Sequence, residues 1–594
     1  MIKLSDYIFK FIAQKGIKHV FMLPGGGCMH LADSLGRNKE LTYITCLHEQ
    51  AVSIAAEAYG QHTNYPGVAL VTTGPGGTNT VTGVSAAFLD STPVIFISGQ
   101  VKRSDLKTSG VRQNGPQEID IILIVKSITK YAVTVLEPEK IKYHLEKAWH
   151  LAMTGRRGPV WLDIPLDVQS HIIDEESLIS FDAPSAKKTN NISTSTKDAA
   201  LIIKNAKRPL VLAGNGIKHA NAENLFESIV KKLNIPVIAT WKVIDMFDFN
   251  DPHYFDLPGT LGHRGANFIL QNCDALLVLG SRLDASLTAF NHKGFAPLAK
   301  KIMADIDPAE LNKPDMEIDL KIEADIHEFL TEFDKHIDKA LETNDWLAYC
   351  TKMKKKYPAC LPEYFEEKDF VNTYAFIDTL CNYLTAEDII VPESAGSAGE
   401  VTYQAFKIKK GQKMKNAAAL GAMGFGLPYT IGACLANGRR RTILINGDGA
   451  FTLNIQELET LKRLNLPVKM FIWDNGGYAS IMATQRNFFE GNYVGSETAS
   501  GLTLPNLEKI ARAFEIAYFN IENHSEMEQK IKDALNYDGL ALCRVNISPM
   551  QPTAPKCTAM KLPDGSMISK PLHDMWPFLS EEEIRENMII NYDS

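Results

Sequence analysis

The sequence predicts an α/β fold of three doubly wound parallel sheets, and three observations carry that expectation. Short apolar runs alternate with segments of helical periodicity along most of the chain. Many of the runs end on glycine-rich turns, and polar or charged stretches divide the pattern into three blocks. Such runs read as strands buried on both faces, covered by crossover helices. Ligands of sheets like these gather at the carboxyl ends of the strands, where the glycines lie.

In the first block Ser5 is expected to cap a helix carrying Tyr7, Ile8, Phe11 and Ile12, which Gly16 ends. A strand from His19 to Leu23 then runs into Pro24-Gly25-Gly26-Gly27. A second, from Val68 to Val71, runs into Thr73-Gly74-Pro75-Gly76-Gly77, and a third, from Val94 to Ser98, into Gly99. Between the first two, Cys46-Leu47-His48-Glu49-Gln50-Ala51 precedes an alanine-rich helix from Val52 to Tyr59. The polar stretch from Ala183 to Lys197 reads as a linker.

The second block shows strands at Leu210 to Ala213, Val237 to Thr240, Ala275 to Leu279 and Lys301 to Asp305. A charged, helical stretch from Phe329 to Asp369 bridges to the third block. Strands there are expected at Ile389 to Val391, Thr442 to Asn446, Val468 to Trp473 and Leu540 to Asn546. The tail after Pro549 is rich in Pro and Met and gives no clear pattern, and no repeat is found. The expected boundaries are 1–182, 197–340 and 365–550, with a tail at 551–594.

At 594 residues the chain is too long for one core, since about 150 residues per domain is usual. Its 45% apolar and 22% charged content are those of a soluble globular protein. A net charge of −8 without a long basic run argues against nucleic acid or an anionic membrane as partner. Nine scattered cysteines without a CxxC pair suit a reduced, cytoplasmic setting. The N-terminus lacks the apolar stretch of a secretory signal, and no apolar run approaches the roughly 18 residues that span a bilayer.

The strongest chemical signal is Gly447-Asp448-Gly449 followed by Asn475. Asp448 falls at the carboxyl end of one strand, and Asp474-Asn475-Gly476-Gly477 turns at the end of the next. Asn454-Ile455-Gln456-Glu457 reads as a capping box for the intervening helix, which Leu458, Leu461 and Leu464 would make amphipathic. A carboxylate and a carboxamide side by side suit Mg²⁺, which takes hard oxygen ligands and keeps places for phosphate. Glycines beside both would let a diphosphate approach the backbone.

This pattern resembles the thiamine-diphosphate motif of the 2-keto-acid decarboxylase and acetohydroxyacid (acetolactate) synthase superfamily. The likeness runs from Pro24-Gly25-Gly26 to about residue 550. It implies pyrimidine-binding, central nucleotide-binding and diphosphate-binding domains, in that order. It also implies Mg²⁺ held by Asp448, Asn475 and the carbonyl of Gly477, with Gly447 and Gly449 in the diphosphate turn. By the same resemblance Glu49 is the cofactor-activating carboxyl group, which favours the imino tautomer of the pyrimidine that removes the thiazolium C2 proton. The loop Leu420-Gly421-Ala422-Met423-Gly424 would bend the cofactor, with Met423 as wedge and the backbone of Gly421 and Met423 bonded to the aminopyrimidine.

Segments around Gly259, Arg282 and Asp305 resemble the flavin-binding parts of acetohydroxyacid synthases, with Gly74 approaching from the first domain; this implies FAD. Gln117 matches the family glutamine near the substrate.

The chain departs from that pattern at three positions. Leu166 stands where the synthases usually carry Lys, Thr484 about where they carry a Trp that selects a small keto acid, and Pro116 where they carry Phe. The acceptor pocket is therefore expected to be larger and less suited to a second carboxylate. Asn475-Gly476-Gly477-Tyr478 also resembles the benzoylformate decarboxylase and benzaldehyde lyase branches. The whole pattern is most similar to synthase-like enzymes of bacterial surface-polysaccharide pathways, whose acceptor can be a keto-sugar nucleotide.

The expected reaction is decarboxylation of a 2-keto acid such as pyruvate and transfer of its two-carbon unit to a carbonyl acceptor. The alternative is decarboxylation or lyase activity without a carbon acceptor. A catalytically silent binding subunit is opposed by the presence of Glu49, Asp448 and Asn475. The family places its cofactor between subunits, so a homodimer or homotetramer is expected.

Overall fold

A computed structural model of the chain describes residues 1–107, 110–184, 192–561, 564 and 567–589. The first sheet contains β1 (His19–Met22), β2 (Thr42–Thr45), β3 (Gly67–Val71), β4 (Val94–Gln100), β5 (Tyr131–Thr134) and β6 (Val160–Pro165). All are parallel, in the spatial order β2-β1-β3-β4-β6-β5. Every residue of β3, β4 and β6 is buried, as a sheet covered on both faces requires.

The second sheet takes β7 (Pro209–Ala213), β8 (Val237–Ala239), β9 (Ala275–Leu279), β10 (Lys300–Asp305) and β11 (Leu320–Glu323) in the order β8-β7-β9-β10-β11. The third takes β12 (Ile389–Pro392), β13 (Lys413–Met414), β14 (Thr442–Gly447), β15 (Val468–Asp474), β16 (Ala517–Ile521) and β17 (Ala541–Asn546). Its order, β13-β12-β14-β15-β17-β16, is the winding of the first sheet again. Both sheets therefore reverse direction between their first and third strands, and a ligand crevice is expected outside those strand ends.

Three local expectations change, and the tail gains a structure. The first helix is Leu4–Gln14 with Lys3 at its N-cap; Ser5 lies inside it, bonded to Ser34 Oγ at 2.8 Å. Of the expected linker, residues 185–191 lie outside the described residues, while Ser193–Asn205 is helical, with Thr196 and Ala199 buried. No capping box forms at Asn454. The helix there is Glu457–Arg463, and both candidate side chains are drawn to first-domain partners: Asn454 Nδ2 donates to Gln50 Oε1, and Glu457 Oε1 accepts from Leu47 N. The tail forms two short antiparallel pairs and a helix, Glu581–Asn587, laid on the middle domain through Arg264 and Asn267.

First and third domains share one hydrophobic core, because α1 (Glu49–Thr63) lies against α2 (Gly426–Ala436). The crossing is close: a Cβ on Gly432 would stand 2.1 Å from the Ala55 carbonyl oxygen. Glu57 is buried in α1. Its Oε1 accepts from Thr92 Oγ1 at 2.9 Å and from Gln61, while Oε2 has no partner. Burial pushes its carboxyl group up from 4.5 to about 7.

The folded state thus holds the Glu57 proton more tightly than the unfolded chain does. The resulting stability is full below about pH 4.5 and is lost as pH rises through about 7, up to about 3 kcal/mol in all. Urea midpoints of the wild type should fall across that window, and those of Glu57→Gln should fall less. Parallel curves for the two proteins would refute the assignment.

Candidate active site

The third sheet delivers its chemistry at the ends of β14 and β15. Gly447 closes β14 in extended backbone, and Asp448 opens the following short helix, Asp448–Thr452. The Asp448 carboxylate is 3% exposed. Its Oδ1 accepts from Gly449 N at 2.7 Å, and Oδ2 accepts from Gly476 N at 2.8 Å and Asn475 N at 3.1 Å. These bonds lock the two strand ends together. Burial first, and the Asp474 carboxylate second, push Asp448 up to about 7, while three N–H groups pull it down. Asp474 itself is held by Arg544 Nε at 2.5 Å.

Asn475 completes the pair. Its side-chain oxygen is buried and has no hydrogen-bond partner, an arrangement that proteins rarely leave unexplained. Gly477 must be glycine, because a Cβ there would stand 2.3 Å from the Ser496 carbonyl oxygen. Gly449 is likewise pressed by the Tyr478 ring, 2.5 Å from its virtual Cβ.

A buried carboxylate near neutrality and an orphaned amide oxygen suit a hard divalent cation. Among the described residues no group of three His, Cys, Asp or Glu could cage a metal. An ion bound by Asp448 and Asn475 would take its remaining ligands from backbone, water or phosphate.

The turn after β12, at the end of the strand beside β14, lines a cavity toward the middle domain. Glu393 is fully buried, with Oε1 accepting from Ser394 N at 2.8 Å and Oε2 from Gly426 N at 3.0 Å. It ties the Ser394–Gly396 turn to the first residue of α2, and burial pushes it up to about 7. The sequence reading passed over both Glu393 and this turn. Their one signal was Gly396, a glycine just past a strand, with φ +72°. The loop before α2 carries Gly421 and Gly424 at positive φ and leaves Met423 41% exposed. Asn454 Nδ2 fixes it by donating to the Gly424 carbonyl at 2.8 Å.

Glu49 is the first residue of α1, capped by His48, whose Nδ1 accepts from Gln50 N at 3.0 Å. Its Oε2 accepts from Asn79 Nδ2 at 3.0 Å. Within one chain Glu49 and Asp448 bond only to groups of their own domains. The structure does bring Gln117 and Gly74 together: both have positive φ, and a Cβ on Gly74 would stand 2.3 Å from the Gln117 carbonyl oxygen.

A cavity of about 620 Å³ opens between the middle and third domains, with Trp241, Thr260, Arg282, Gly396, Glu400 and Gly421 in its wall. Arg282 and Gly421, picked out for different cofactors, thus face one space. Neither Asp305 nor Gly74 lines it. Asp305 ends β10, accepts from Asp307 N at 2.9 Å and is pushed up to about 6 by burial. Trp241 stacks on Tyr403 with ring centroids 4.4 Å apart. Lys242 joins three domains, donating to Asp90 Oδ2 at 2.8 Å, Gln61 Oε1 at 3.0 Å and the Asn416 carbonyl.

Comparison with known proteins gives three matches along the chain. Residues 2–124 match the N-terminal TPP binding domain of thiamine pyrophosphate enzymes, 196–333 their central domain and 394–545 their C-terminal TPP binding domain. The acetolactate synthase isozyme 1 large subunit of Escherichia coli (strain K12) is 31% identical over 93% of this chain and 95% of its own. The probable acetolactate synthase large subunit of Methanocaldococcus jannaschii is 32% identical over 92% of each. The catalytic subunit of Saccharomyces cerevisiae acetolactate synthase is 28% identical over 92% of this chain and 81% of its own. With three parallel sheets, the Asp448–Asn475 pair between strand ends and likeness over nearly its whole length, the chain belongs to the acetolactate-synthase-like family of thiamine pyrophosphate enzymes.

Proposed function

We propose that this enzyme decarboxylates a 2-keto acid, pyruvate first among them, and transfers the two-carbon unit to a carbonyl acceptor. The observation that carries the site assignment is the partnerless Asn475 amide oxygen beside the Asp448 carboxylate. With the carbonyl of Gly477, these groups would hold Mg²⁺ and through it a diphosphate. Bound there, thiamine diphosphate supplies the electron sink that stabilises the carbanion left by loss of CO₂.

The protein contributes position and proton control. Glu49 keeps Oε1 free of Asn79 and is the atom that holds the proton shared with the pyrimidine nitrogen. Gln117 faces the keto acid, and the Gly421–Gly424 loop with Met423 cradles the pyrimidine. Since Glu49 and Asp448 bond only within their own domains in one chain, we read the site as completed between two subunits. The 620 Å³ cavity with Arg282 in its wall is the place we assign to FAD.

We read acceptor choice from two positions where the chain departs from the synthases, Thr484 and Leu166. Thr484 is exposed on the helix Ala479–Phe488, its hydroxyl bonded to the Ser480 carbonyl at 3.1 Å, and Leu166 offers no positive charge. From these two positions we infer an acceptor bulkier than pyruvate, such as a keto-sugar nucleotide.

The test is product analysis by NMR after incubation with ¹³C-pyruvate, thiamine diphosphate, Mg²⁺ and FAD. Acetolactate formed at a useful rate would make pyruvate a competent acceptor. Slow CO₂ release with acetaldehyde would make the acceptor another carbonyl compound, and keto-sugar nucleotides should then raise the rate. No CO₂ from pyruvate or any other 2-keto acid would refute the proposal.

A further inference from the structure

Gln117 lies in the long connection between β4 and β5, on backbone that no sheet or helix holds. Its φ of +62° is a conformation that a side-chain-bearing residue adopts only when its surroundings impose it. The imposing group is its neighbour. Glu118 is 6% exposed. Its Oε1 accepts from Lys107 N at 2.5 Å, and its Oε2 from Asn114 N at 2.7 Å and Gly115 N at 3.1 Å. Three main-chain N–H groups, spread along the connection, thus converge on one side chain.

Burial alone would push this carboxyl group up, but the three donors outweigh it and hold Glu118 below the usual range. It is therefore a carboxylate, with both oxygens accepting and no proton set against the donors. The far side of the turn is fixed separately. Gln113 Nε2 donates to the Glu118 carbonyl at 3.2 Å, and Gln100 Nε2 to the Ile119 carbonyl at 3.0 Å. Gln100 is itself held by Asp163 Oδ2 at 3.1 Å, a buried carboxyl group that also accepts from Ser98 and Thr134.

We propose that Glu118 is a positioning residue for the keto-acid site: its carboxylate gathers the connection into the one shape that presents Gln117 beside Gly74. This rests on the reading that places Gln117 at the substrate. An amide at position 118 would keep one acceptor oxygen and turn an NH₂ toward an N–H donor, so the clasp would open on one side. Shortening the side chain, as in Glu118→Asp, keeps the charge but cannot reach all three donors.

The test uses the full-length enzyme with thiamine diphosphate and Mg²⁺ and compares Gln117→Ala, Glu118→Gln, Glu118→Asp and the Gln117→Ala/Glu118→Gln double variant. A 1 Å misplacement costs on the order of 100-fold, so Glu118→Gln should lose about 10- to 100-fold in kcat/KM for the keto acid. The loss should divide between KM and kcat as it does in Gln117→Ala. Glu118→Asp should fall between wild type and Glu118→Gln, and the double variant should be no worse than the poorer single one. Cofactor affinity should stay at the wild-type value, while the melting temperature of Glu118→Gln should fall modestly, because a buried main-chain donor loses its acceptor. Losses that multiply in the double variant, or cofactor binding lost together with activity, would overturn the proposal, as would normal kinetics of Glu118→Gln beside an impaired Gln117→Ala. Normal kinetics of Gln117→Ala would refute the role given to Gln117, and the proposal with it.

Discussion

Glu49→Gln is expected to lower keto-acid turnover by about 10²- to 10⁴-fold, the usual size of one general acid–base contribution. The change is nearly isosteric, and the Asn79 contact at 3.0 Å can be kept by the amide oxygen. The helix N-terminus also survives, because its cap is His48 and not Glu49. What disappears is the one atom there able to hold and return a proton. Thiamine diphosphate and Mg²⁺ should therefore bind with near wild-type affinity, measured by tryptophan fluorescence or calorimetry. Near-normal turnover in the variant would remove Glu49 from the mechanism. Loss of cofactor binding would make it a structural residue.

Asp448→Ala should abolish that binding in turn. The substitution removes a proposed metal ligand and leaves the N–H groups of Gly449, Asn475 and Gly476 without their acceptor. Changes to groups that only support a ligand already cost about 10- to 100-fold in metal affinity, so loss of the ligand should exceed 100-fold. A pH effect accompanies it. With Asp448 pushed up to about 7, protons compete with the cation, and the Mg²⁺ requirement should rise as pH falls from 8 to 6. Titrating Mg²⁺ at both pH values checks the direction. Equal affinities, or cofactor binding retained by Asp448→Ala, would mean that the cation is held elsewhere.

Much of the frame could be read from the sequence because local pattern records burial. Strands buried on both faces are runs of Val, Ile and Leu, and β9, from Ala275 to Leu279, was placed to the residue. β6, buried throughout, was missed because Asp163 and Pro165 interrupt its apolar run, and so were the edge strands β2, β5, β11, β13 and β16. Each edge strand has a side open to solvent or only two residues, so none leaves a long apolar run. Asp448 and Asn475 were legible because glycines flank them at strand ends.

Glu393, Glu118 and Lys242 were not. Each is a buried or half-buried charged side chain whose meaning lies in its partners. For Glu393 these include Gly426 N, and for Lys242 they include Asp90 and Asn416, both far along the chain. Glu118 gathers donors that are closer in sequence, but only the folded connection shows that they converge. The failed capping box at Asn454 has the same origin, since Gln50 and Leu47 of the first domain claim both side chains.

The most direct test of the account is the rate at which the C2 proton of bound thiamine diphosphate exchanges with deuterium, followed by acid quench and NMR. The account predicts exchange on the wild type far faster than on the free cofactor, and slowed by about 100-fold or more in Glu49→Gln. Equal rates on the two proteins, or a wild-type rate no faster than that of the free cofactor, would contradict it.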